Sequence, residues 1–229
     1  VIDPYRLGSI ERNARLLKED WLAEISKGLN RVIGIVKDEL RLQLPGILNV
    51  LLDPFIEMGA MTYLRGLRKT AEAQADVVIQ CAKNALINQD FEASVEKYGR
   101  QYVEHDEMYV HCKKHHPAFP RIKASILHEF ELRVKDAATL LGASPPDQSV
   151  PFTSAAEIYR TAYPSVDEAR ALQEQEMACV QERLELVKSA GDLIDIPFGM
   201  APILFRIIER GTSYTQQEYV ANLDRYFDV

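Results

Sequence analysis

Residues 9–41 read SIERNARLLKEDWLAEISKGLNRVIGIVKDELR, and this stretch decides the fold class. Ala14, Leu17, Trp21, Ile25, Leu29, Val32, Val36 and Leu40 recur at steps of three and four, the period that lines one face of an α-helix. Arg15, Lys18, Glu19 and Lys37 occupy the opposite face, so the helix is amphipathic with one buried stripe. Ser9 is its expected N-cap. Pro45 ends or kinks it, and Gly28 and Gly34 are the positions where an interruption is expected.

The same period continues outward from this helix. A second helical segment is expected from Pro54 to Lys69, where Gly59, Ala60 and Gly66 admit a close neighbour. The Ala-rich stretch from Thr70 to Leu86 either forms another helix or continues that one. Asp90 caps the next helix, whose stripe is Phe91, Val95, Tyr98, Tyr102, His105, Tyr109, Cys112 and His116. Pro117 and Pro120 break it. Ile122, Ile126, Phe130, Val134, Ala137 and Leu141 then mark a partner helix with Gly142 as its C′ residue. The short connection makes the two an antiparallel hairpin.

Beyond the Pro145, Pro146 and Pro151 segment, two capping boxes appear, Ser154 with Glu157 and Ser165 with Glu168. The second opens a helix that Gly191 is expected to end. Pro197 to Arg210 reads as a short apolar core helix and Thr215 to Phe227 as a terminal amphipathic one. The echo between Leu52-Asp53-Pro54-Phe55 and Ile194-Asp195-Ile196-Pro197-Phe198 is read as two proline-opened helix starts. No stretch shows sustained period-two alternation, and no Asn-Gly or Asp-Gly hairpin turn occurs. The expectation is an all-α, multi-helix bundle of roughly seven or eight mostly antiparallel helices. It spans 1–229 as a single helical domain. Its sub-division is a bundle over 1–142 with a His-rich hairpin, a Pro-rich linker over 143–153, and C-terminal helices over 154–229 that share the core.

Composition narrows the function classes. The chain has 229 residues, 47% of them hydrophobic and 27% charged, enough apolar content to bury a core. The formal net charge of -7 disfavours general nucleic-acid binding and a polybasic membrane anchor. No apolar run is long enough for a transmembrane segment, and Val1 to Arg6 lacks the basic and apolar regions of a secretory leader. Cys81, Cys112 and Cys179 are odd in number and widely spaced, as expected of a reducing, cytoplasmic compartment.

All five histidines, His105, His111, His115, His116 and His128, fall in one expected hairpin. Glu104, Glu107, His111 and His115 form a stripe with the spacing of a zinc or non-haem iron site, although such a stripe is more often a solvated polar face. His105, Cys112 and His116, with His128 returning on the partner helix, form a second candidate set. Hydrogen bonds to tyrosine in a semi-polar core explain that set equally well. His105 or His128 is a candidate haem ligand, and a nucleophilic Cys112 is weighed against the commoner buried thiol. The candidate metal ligands are therefore His105, Glu107, His111, Cys112, His115, His116 and His128. The di-iron bundle motif Glu-x-x-His does not occur, nor do phosphate-loop, dinucleotide, zincin or hydrolase-elbow signatures.

The cluster of Arg65, Arg68 and Lys69 is either a contact for an anionic partner or a solvated helix end. Two functional expectations follow. The first is a non-catalytic helical interaction or regulatory module that binds a protein partner or forms a homo-oligomer. The second is a zinc-, iron- or haem-binding sensor or oxidoreductase centred on the histidine hairpin.

Overall fold

The computed structural model describes residues 3–42, 46–106, 109–110, 112–190 and 201–228. The protein is all-α. Among the described residues there are seven helices: α1 (Pro4–Leu42), α2 (Gly46–Asn88), α3 (Phe91–Glu104), α4 (Phe119–Gly142), α5 (Ala155–Ala162), α6 (Val166–Ala190) and α7 (Ala201–Phe227).

The first two helices set the scale. They contain 39 and 43 residues, so at about 1.5 Å per residue each extends roughly 60 Å. They run antiparallel along their whole length. Lys83 meets Glu11 at 2.6 Å and Lys18 meets Asp76 at 2.6 Å, while Lys37 pairs with Glu57 and Arg41 with Asp53 towards the far end.

Several boundaries differ from expectation. The first helix begins at Pro4 rather than after Ser9. Proline suits the first helical position, and the Asp3 carboxylate accepts the Tyr5 N–H at 3.3 Å. Gly28 and Gly34 do not interrupt it. Pro54 opens nothing: it lies inside α2, which is continuous through Thr70. The ring leaves the Val50 carbonyl without its helical donor, and burial of Ile56, Ala60 and Leu64 just beyond holds the helix through it. Gly211 does not divide α7, which replaces the two expected C-terminal helices. Expectations that touch Pro45, Gly191 and residues 194–200 lie outside the described residues.

The C-terminal half of α2 and the N-terminal part of α1 join α3 to α7 around one core. Its centre is α4, whose stripe Ile122, Ile126, Phe130, Val134, Ala137 and Leu141 is buried as expected. That core takes residues from both sides of the Pro-rich segment, among them Leu17, Tyr102, Ile158, Val187 and Leu223. Asn13 of α1 fixes the end of α4. Its side-chain amide donates to the carbonyls of Leu141 at 3.2 Å and Ala143 at 2.9 Å, which have no helical donor of their own.

The rest of the long hairpin projects from this body as an arm. Along it α7 runs antiparallel to α1. Asn222 donates to Glu24 at 2.7 Å, Lys27 meets Glu218 at 3.3 Å, and Arg210 meets Glu39 at 2.8 Å. The arm has a small core of its own, Val36, Ala60 and Ile207 with Val32, Ile33, Leu40 and Tyr63 against it. No helix among the described residues is long and apolar enough to cross a membrane.

Candidate functional site

The histidine segment is not a straight hairpin. The helix that was expected to reach His116 stops at Glu104. Asp90 caps its start as expected, accepting the Ala93 N–H at 3.0 Å. At its end the His105 N–H bonds back to the Tyr102 carbonyl at 3.1 Å. Asp106 then accepts the Tyr109 N–H on its carboxylate at 3.0 Å, offering the chain a turn in place of further helix.

This break scatters the candidates. His105 is half-buried at the helix end. His115 is exposed. His116 is half-buried, and its Nδ1 accepts the Ala118 N–H at 3.1 Å, so that nitrogen is occupied. His128 lies on the exposed side of α4, with Nδ1 4.0 Å from Glu131. Cys112 is buried in the core. Glu107 and His111 lie outside the described residues. Among the described residues no three His, Cys, Asp or Glu side chains converge as a metal would need.

The cysteines are inert in character. Burial pushes the Cys112 thiol up to about 11, with the nearby Asp106 carboxylate adding to the effect. Burial alone takes Cys81 to about 12. A nucleophile needs the opposite shift.

Among the described residues, a group of converging charges is buried between α3, α4 and α6. Glu129 pairs with Arg183 and lies 3.1 Å from Arg133, and the Tyr102 hydroxyl donates to it at 3.2 Å. Burial favours its neutral form, but the two guanidiniums and these hydrogen bonds outweigh burial and hold its carboxyl below the usual range. Beside them Glu176 lies 3.5 Å from Arg133, and Asp136 accepts the Tyr163 hydroxyl. Burial raises both of these carboxyls, with Arg133 opposing it only in part. The group ties α3, α4 and α6 together.

Two shallow concavities exist elsewhere. Ile35, Arg206, Glu209, Arg210, Ser213 and Gln217 line one between α1 and α7, where both guanidiniums already pair with buried Glu39. The other lies under the Pro145–Pro151 segment.

The surface that stands out is the outer face of α2 on the arm. Phe55 is 64% exposed, Met58 62% and Met61 44%, and Leu42 at the end of α1 is 73% exposed. Phe55, Met58 and Met61 follow one another at steps of three and so share a side of the helix. Gly59 and Gly66, expected to admit a close neighbour, face open space: a Cβ there would meet nothing within 4 Å. Arg65, Arg68 and Lys69 follow, all exposed.

Sequence reasoning named the glycines and the basic cluster but missed the exposed apolar residues beside them. The signal was present as apolar residues on two sides of one helix: Ile56, Ala60 and Leu64 face inward, and Phe55, Met58 and Met61 outward.

Comparison with protein-family models, curated proteins and solved structures found no match.

Proposed function

We propose that this chain is a non-catalytic helical interaction module whose working surface is the outer face of α2 on the arm. The observation that carries the reading is the run of Phe55, Met58 and Met61, each large, apolar and exposed on one side of a helix. Water-exposed apolar runs of this kind, bordered by charge, are the usual mark of a protein-binding face. The arm suits the role. It stands clear of the body, and ion pairs join α1 to α2 and to α7 along it.

A photoactivatable residue replacing Met58 tests this in cells that produce the protein. Irradiation is expected to give a covalent protein adduct, and an added Phe55→Asp substitution is expected to abolish it. Absence of any adduct would count against the reading.

A further inference from the structure

We infer that the turn joining α3 to α4 docks this chain, reversibly, on an anionic lipid surface. The inference goes beyond the reading above and concerns another face, on the body rather than the arm. Residues 108–128 contain no Asp or Glu, in a chain with 34 acidic residues against 27 basic ones. Lys113, Lys114, Arg121 and Lys123 stand in that stretch. Lys113 is half-buried and the other three are exposed, as is His115 beside them. Arg121 lies 3.7 Å from Glu182 of α6, and both side chains stay more than half exposed. Asp106, at the start of the turn, is buried. Among the described residues no carboxylate pairs with Lys113, Lys114 or Lys123.

Local bonds give the turn a fixed shape. The Tyr109 and Phe119 rings meet at 5.1 Å and close its base, and Cys112 anchors it in the core. The His116 N–H donates to the Lys113 carbonyl at 2.9 Å, and the Phe119 N–H to the His116 carbonyl at 3.0 Å. Lys114 lies over the Tyr109 ring, and next to that ring Val110 is 59% exposed.

An acidic lipid surface answers both features. Its headgroups attract the cations, and its interfacial layer takes the apolar Val110 side chain out of water. A nucleic-acid backbone would meet the cations and leave Val110 in water. The chain's net charge of -7 disfavours a general anchor, yet a surface feels chiefly the charges within the screening length of about 8 Å. At this turn the exposed cations outnumber the one exposed carboxylate, Glu182. Each cation near such a surface strengthens binding about fivefold, so four of them give weak, salt-sensitive attachment.

Cosedimentation of the full chain with vesicles tests this. The protein is expected to bind phosphatidylcholine vesicles that contain about one-third phosphatidylserine, to ignore pure phosphatidylcholine, and to dissociate as salt rises. Lys114→Gln/Arg121→Gln is expected to weaken binding about 25-fold with unchanged helical circular dichroism, because both side chains are exposed. Val110→Asp should weaken it as well. Arg65→Gln/Lys69→Gln, which removes exposed cations of α2, should bind as the wild type does.

No binding to the phosphatidylserine vesicles overturns the proposal. So does wild-type binding by Lys114→Gln/Arg121→Gln, or loss of binding in Arg65→Gln/Lys69→Gln instead. Binding to polyglutamate or duplex DNA with none to the vesicles also overturns it, and gives the turn to that other class of partner.

Discussion

At Glu129 a carboxylate with almost no access to water is held by Arg183, Arg133 and the Tyr102 hydroxyl. Removing one partner of such a set leaves an uncompensated buried charge. Glu129→Gln is expected to destabilise the fold by about 3–5 kcal/mol, measurable by urea unfolding. Its neighbour Glu176 acts in the opposite sense with pH. In the folded protein its carboxyl keeps its proton where an unfolded glutamate, with its value of 4.5, has lost it. The unfolded state then binds fewer protons, so stability falls as pH rises from that value towards the raised folded one. Asp136 adds to the trend, while Glu129 acts below that window: its stabilisation is fully present above 4.5 and is lost as pH falls from there. Glu176→Gln removes one proton-linked step. The fall in Tm between about pH 5 and about pH 8 should be shallower in this variant than in the wild type. None of this network was legible in the sequence. Glu129, Asp136 and Glu176 look like solvated helix positions until α4 and α6 are laid against each other. The histidines misled in the reverse way: their clustering in sequence implied a straight helix that Asp106 breaks.

Between elements, α3 and α4 approach each other closely at Gly99. It faces α4, where an added Cβ would lie 3.0 Å from Leu127 and 3.8 Å from the Phe130 ring. Gly99→Val forces a branched side chain into that space and is expected to destabilise by about 1–3 kcal/mol in thermal or urea unfolding. Most helices were legible because their stripes are buried and their caps are local. Asp90, Ser154 and Glu157 act as the spacing predicted, the last pair closing a reciprocal capping box. Pro54 and the gap expected between Arg210 and Thr215 were misread for one reason. Local preference argues for a break at each, while both lie in long helices fixed by tertiary contact along α1. The start at Pro4 was missed because Ser9 is an equally good cap on local grounds.

The whole molecule is a compact body around α4 with an arm of α1, α2 and α7 projecting from it. The all-α class followed from periodicity alone. The arm did not, because the apolar stripe of α1 runs unbroken from body to arm and carries no mark where one core gives way to the other. The outer face of α2 was hidden for a related reason. Its apolar residues went unread because nothing in the sequence says that α1 and α7 cover only the inner side of α2. The account's central claim is that this outer face is where the protein meets a protein partner. Photo-crosslinking from Met58 tests it most directly, with the exposed His128 of α4 as the control position. The account predicts a covalent protein adduct from Met58 and none from His128. No adduct from Met58, or the same adducts from both positions, would contradict it.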